Sequence, residues 1–226
     1  MMLSAASLAF RQLFTPPFRS VLFKSLGITL LLLIATWIGL ESTLVGLVDT
    51  SEGWLNWIIG IIAGFALFAG LVFLIPPISA IVTGLFLDDI AATVEKNHYP
   101  NDTPGTPLPL AQVLVNTSKF LAIVILVNLL VLLTIPLLGI GFLGFFIANG
   151  YLFGREFFEL AALRFMPYSE ARNLRKKHGG RIFMCGLVIA CLVAIPIVNL
   201  LTPLFATAFM VHIFKQVRGS TPINTD

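Results

Sequence analysis

Between Arg181 and Lys215 run 33 residues without a charged side chain, and their middle reads Leu192-Val-Ala-Ile-Pro-Ile-Val-Asn-Leu-Leu-Thr-Pro203. That length is too great for one membrane span and too small for two. A helix rises about 1.5 Å per residue and needs about 20 residues to cross a hydrocarbon core of about 30 Å. Pro196 and Pro203, with Asn199 between them, place the helix break here, because proline has no backbone N–H and clashes with the preceding turn. The arm before the break, Ile182 to Ile195, is 14 residues, or about 21 Å. The expected geometry is a helical hairpin that enters the bilayer, turns inside it and leaves by the face it entered.

A second run has the same design. The 35 residues between Lys119 and Arg155 carry no charge, and Ile135-Pro136-Leu-Leu-Gly139 interrupts them near the middle. The two Ile-Pro pairs are 60 residues apart, with Phe145 and Phe205, then Ala148 and Ala208, at equal offsets beyond each proline. Either this is an internal repeat of two similar hairpins, or apolar helices with central prolines resemble one another by chance.

Composition agrees with the runs. The chain is 58% hydrophobic and 11% charged, against about 25% charged in ordinary soluble domains. Inside lipid only helices and closed barrels satisfy the backbone, and these runs lack the alternation of barrel strands. The expected fold class is therefore an all-α integral membrane protein in a single membrane domain. It comprises two transmembrane helices and two proline-broken hairpins that penetrate part of the bilayer.

In chain order, residues 1–15 read as an interfacial helix with Leu3, Ala6, Phe10, Leu13 and Phe14 on one side. Spans follow at 21–40 and 53–75, the second containing Gly60, Gly64 and Gly70, where another helix could approach closely. An amphipathic helix at 78–97 carries Asp88, Asp89, Glu95 and Lys96 on its polar side. Those acids read as a solvated face rather than a metal site, since only Glu95 offers a third ligand. A proline-rich loop leads to hairpin 1 at 112–165, then come hairpin 2 at 181–217 and a polar tail at 218–226.

All 14 Lys and Arg residues fall in segments that this topology places on one side, while Glu41 to Glu52 contains only acids. The positive-inside rule then puts both termini in the cytoplasm.

No nucleotide loop, dinucleotide fingerprint, zinc-protease motif or serine elbow occurs. An enzyme is not expected, nor is any cofactor or metal. Cys185 and Cys191, six apart in one apolar arm, read as small buried hydrophobes. His98, His178 and His212 read as ordinary polar or interfacial residues.

Candidate functional residues are polar groups where lipid makes them costly. Asn128 and Asn149 read equally well as interhelical hydrogen bonds. Asn199 and Thr202 lie at the proline-bounded break, with Pro196, Pro203 and Pro136 marking the two hairpin apices. Arg19, followed by Ser20, lies between Pro16-Pro17 and a helix N-terminus, where a guanidinium and free backbone N–H groups would meet an oxyanion. Binding of lipid phosphate is the plainer reading of the same arginine. Arg155 and Glu159 are i,i+4 and read as a structural ion pair.

In their order and spacing, Ile195-Pro-Ile-Val-Asn-Leu-Leu-Thr-Pro203 with Ala208, Pro77 through Leu87-Asp88-Asp89-Ile-Ala to Glu95, and the Ile135-Pro136 apex resemble the bacterial CysZ sulfate permease family. The resemblance covers about Thr15 to Phe214. It implies an inner-membrane protein assembled as a homo-oligomer that admits sulfate for cysteine synthesis. Sulfate or a related oxyanion and membrane lipids are then the partners, with no nucleic acid among them. It further implies sulfate contacts just before the first span, where the family has a Gly-x-Arg-Arg-type motif. Here Pro17-Phe18-Arg19-Ser20 retains one arginine, and Tyr-Pro-Phe-Asp-Asn-His after hairpin 1 is replaced by Arg155 through Arg164. These departures leave the transported ion open. A non-conducting scaffold that shares the fold, with the basic segment Arg164–Arg181 as its docking surface, is the alternative.

Overall fold

The computed structural model describes residues 2–47, 53–54, 57–58, 60–65, 78, 81–134 and 140–219. Among these there is helix and turn but no strand. Most of the second expected span and the Pro136 apex lie outside the described residues.

The first helix, α1 (Met2–Gln12), turns its small residues inward. Ala5 and Ala9 are completely buried, whereas Leu3, Phe10 and Phe14 are 80%, 54% and 62% exposed. These three large side chains face outward, as an interfacial helix requires, whereas Leu13, read on the same side, is buried. Thr15 closes α1 by donating to Gln12 O from both its amide and its hydroxyl (2.9 and 2.7 Å).

Pro16 and Pro17 then begin α2 (Pro16–Leu47) rather than standing apart from it, since proline's fixed φ suits a first helical turn. This helix has 32 residues, or about 48 Å. Its segment Pro16–Gly39 is long and apolar enough to cross a membrane.

After α3 (Leu87–His98) and the loop that ends at Pro109, the chain forms α4 (Leu110–Thr134) and α5 (Ile140–Leu163). These two run antiparallel. Phe120 meets Phe153 and Phe157, and further along Asn128 and Asn149 exchange amide hydrogen bonds of 3.1 and 2.9 Å. The asparagines therefore hold two helices together, each also donating to its own i−4 carbonyl. In an apolar surrounding such reciprocal pairs satisfy groups that would otherwise be stranded. The segment Leu110–Val131 is the second of suitable length and apolarity.

The short basic helix α6 (Tyr168–Lys177) precedes α7 (Gly179–Val193), a four-residue turn of helix α8 (Pro196–Asn199), and α9 (Thr202–Val217). The chain breaks at Ala194-Ile195 and again at Leu200-Leu201, with Pro196 and Pro203 in the first turns that follow. Arg181 near the start of α7 bonds Gln216 near the end of α9, so α9 returns toward the level from which α7 set out.

Glycine sets how α5 and α7 meet. A Cβ at Gly186 would run into the carbonyl oxygen of Gly150 and lie 2.7 Å from the amide nitrogen of Gly154. One at Gly154 would lie 2.6 Å from Ile182 O. Gly150-Tyr-Leu-Phe-Gly154 is thus a small-xxx-small face that brings two backbones into contact. It carries the close approach that the sequence alone suggests for Gly60 and Gly64, where a Cβ meets nothing within 4 Å among the described residues.

The core is α9. From Leu204 to Lys215 every residue is buried, and the helix packs against α1, α3, α5 and α7. A helix enclosed all round needs apolar residues on every side, and Phe205, Phe209, Met210, Val211, Ile213 and Phe214 supply them.

Candidate functional site

Ionic groups gather where the ends of α3, α5 and α9 meet. Arg164, just past α5, is buried with Glu95 of α3: its Nε donates to Glu95 Oε1 at 2.9 Å and its Nη1 donates to Asp88. The same Glu95 accepts the amide of Gly105 (2.9 Å), and Thr106 N donates to Arg164 O (2.8 Å), which pins the proline-rich loop to the cluster. A Cβ at Gly105 would lie 2.9 Å from that of Arg164, so only glycine lets the loop come this close. Burial opposes the guanidinium charge, but the hydrogen bonds and charges of Glu95 and Asp88 outweigh it and raise the pKa of Arg164.

This corrects the reading of Asp88 and Glu95 as a solvated face. Glu95 is 4% exposed, because α3 buries Ile90, Ala91, Val94, Glu95 and His98 together. The available signal was positional: Glu95 follows Val94 on the side defined by Ile90, and a lone arginine sits in Leu163-Arg164-Phe165.

Beside it lies a neutral cluster. His98 and His212 stand edge to face at 5.2 Å, Gln12 Nε2 bonds His98 Nδ1 at 3.0 Å, and the Tyr99 hydroxyl pairs with His212 Nδ1 at 2.9 Å. Three residues distant in sequence, Gln12, His98 and His212, thereby join α1, α3 and α9. The histidines are not the interfacial residues their sequence isolation suggests. Burial lowers the pKa of His98 and raises that of Tyr99, which Asp102 raises further. Lys215 closes this side with Asp102 at 2.9 Å and stands 4.3 Å above the Phe165 ring. No group of three or more metal-ligating side chains occurs among the described residues.

Arg19 and Ser20 are exposed at the start of α2. Pro16 and Pro17 have no amide proton, and Arg19 N donates to Thr15 O at 3.1 Å. Of the first-turn amides this leaves that of Phe18, so an anion at this end would meet chiefly the Arg19 guanidinium. Asn199 is half-buried, with its backbone N–H donating to Ile195 O (2.8 Å), while Thr202 is buried and its hydroxyl donates to Val198 O (3.3 Å). Arg155 Nε lies 3.7 Å from Glu159 Oε2, yet the closer partner of Glu159 is Arg175 at 2.7 Å. Cys185 is buried, but Cys191 is exposed, contrary to the reading of both as buried.

Two apolar helices of spanning length stand beside these charged groups. Only 17% and 6% of their apolar windows are buried, which no helix in the core of a soluble protein would show. Fold and charge together fit an α-helical integral membrane protein. The chain belongs to the family described as Sulfate transporter CysZ/Etoposide-induced protein 2.4, which it matches over residues 5–203. No curated protein matches it.

Proposed function

We propose that the protein is a permease or channel of the bacterial inner membrane for sulfate or a similar oxyanion, supplying sulfur assimilation and cysteine synthesis. The observation that carries this reading is the match to a sulfate-transporter family over residues 5–203. Arg19, exposed at the start of the first membrane helix, attracts the oxyanion at the cytoplasmic rim, with Ser20 as a neighbouring donor. Asn199 and Thr202, at the break framed by Pro196 and Pro203, line the path, and Pro136 marks the apex of the other hairpin. The helices on either side of α8 have 15 and 16 residues, about 23 Å each. That length supports a hairpin that turns within the bilayer. Both termini are cytoplasmic, and the working unit is a homo-oligomer.

The test is flux of radiolabelled sulfate into liposomes holding the purified protein, beside empty liposomes and the Arg19→Ala variant. Protein-dependent flux is expected, with sulfate affinity about tenfold weaker in the variant, the scale of one lost charge-assisted hydrogen bond. Binding unchanged by Arg19→Ala would remove the rim site. Flux no greater than in empty liposomes, from folded protein, would favour a scaffold. One observation supports that second reading: Arg172, Lys176 and Lys177 are exposed along α6.

A further inference from the structure

A cleft of about 300 Å³ opens between α4 and α5. It lies at a chemical boundary, because Lys119 and Arg155, which line it, are the last charges before the uncharged run and the first after it. Its outer part is polar. Its inner end is closed by Ile123 and Leu152, and beyond them α4 exposes Leu126, Leu129 and Leu130 to the surroundings, each more than half accessible.

The charges within it are of both signs. Glu159 is answered by Arg175 at 2.7 Å, which leaves Arg155 only a distant 3.7 Å approach to it, and Arg155 Nε is buried without a hydrogen-bond partner. Among the described residues neither Lys119 nor Glu156 forms an ion pair within 4 Å. Lys119, Arg155 and the Glu156 carboxylate therefore face a shared space, beside a Glu159 that Arg175 already holds.

We propose that this cleft binds the head group of a zwitterionic phospholipid bearing a primary amine. Its phosphate lies between Lys119 and Arg155, its ammonium against Glu156, and its acyl chains follow the apolar face of α4. A free dianion would meet the two cations but also the Glu156 carboxylate, whereas a zwitterion complements both. A primary ammonium has N–H donors for a carboxylate, and a quaternary amine has none. The volume is at the small end for ligand pockets, which suits a head group whose chains remain in the membrane. Passage of an anion plays no part in this inference.

The experiment is native mass spectrometry of the full-length protein in neutral detergent, with phosphatidylethanolamine, phosphatidylglycerol or phosphatidylcholine added, for wild type, Lys119→Gln and Glu156→Gln. Wild type is expected to retain phosphatidylethanolamine in preference to the other two. Lys119→Gln should weaken retention of phosphatidylethanolamine and phosphatidylglycerol alike, by about tenfold. Glu156→Gln should remove the preference for the amine, with phosphatidylglycerol retained at least as well as by wild type, because a charge that repels its phosphate is gone. Photoactivatable phosphatidylethanolamine should also label residues 112–123 in wild type, a readout that needs no variant. Three results would each overturn the proposal: lipid retention and labelling indifferent to both variants, displacement of the lipid by sulfate in wild type but not in Lys119→Gln, or a Lys119→Cys crosslink that joins two copies through the cleft. The second would make the cleft a site for free oxyanions, and the third an interface between copies.

Discussion

At the scale of single residues, the decisive group is Arg164, because its removal strands a carboxylate that water cannot reach. Glu95 is 4% exposed and takes two hydrogen bonds from that guanidinium. Arg164→Met should cost about 3–5 kcal/mol, the usual penalty for breaking a buried pair from one side. The double variant Arg164→Met, Glu95→Gln should recover part of it, since both charges are then gone. Thermal unfolding in detergent measures both, and an unchanged midpoint in the single variant would show the pair to be idle. His98 gives a pH signature. Burial lowers its pKa from 6.5, so as pH falls below that value the unfolded chain takes up a proton that the folded chain refuses. Its contribution is complete above about pH 6.5 and declines below it. Unfolding followed from pH 8 to pH 5 should show wild type losing stability faster than His98→Gln. The pairing within either cluster is not legible in the sequence, because helical periodicity says which residues share a face but not whether a neighbouring element brings a partner to an acid on it.

At the scale of elements, the break around α8 follows from local chemistry, and the contact between α5 and α7 does not. Proline cannot continue a helix without losing an i→i−4 hydrogen bond and clashing with the preceding turn, but it opens one readily, so Pro196 and Pro203 mark this turn in the sequence and each lies in the first turn of the helix that follows. Gly150, Gly154 and Gly186 acquire their meaning only when the two backbones touch, since each is unremarkable within its own helix. Gly186→Ala should therefore destabilise by about 1–3 kcal/mol, as overpacking does, because the clash is with backbone that cannot swing aside. Gly180→Ala, where nothing lies within 4 Å, should instead stabilise by about 0.5–1 kcal/mol by stiffening the first turn of α7. Denaturation midpoints of the two variants moving in the same direction would contradict the contact.

At the scale of the whole molecule, the chain separates a wet end from an apolar body. Ion pairs collect where α3, α5, α6 and α9 meet, while α2 and α4 hold their apolar faces outward. With Cys185 and Cys191 replaced by alanine, a cysteine at Lys176 should react with an impermeant maleimide only when the cytoplasmic face of inverted vesicles is exposed. Reaction in right-side-out vesicles would reverse the topology. α9 has the least expected place in this arrangement. It reads in sequence as one arm of a hairpin, yet it is the centre of the packing, touching α1 from the start of the chain through the Gln12 and His212 cluster, with Gln12 Oε1 and His212 Nε2 at 3.4 Å.

The sequence by itself determined the helical membrane class, the position of the proline-bounded turn and the asymmetric placement of charge. Each of these follows from local or one-dimensional physics: the cost of unsatisfied backbone in lipid, the geometry of proline, and the charge bias of membrane insertion. Only the tertiary structure decided that Glu95 would be buried with Arg164, that His98 would meet His212, and that Gly150 and Gly154 would seat Gly186. Those outcomes depend on contacts between residues on different helices, far apart in the chain, and no periodicity within one helix records what will be packed against it.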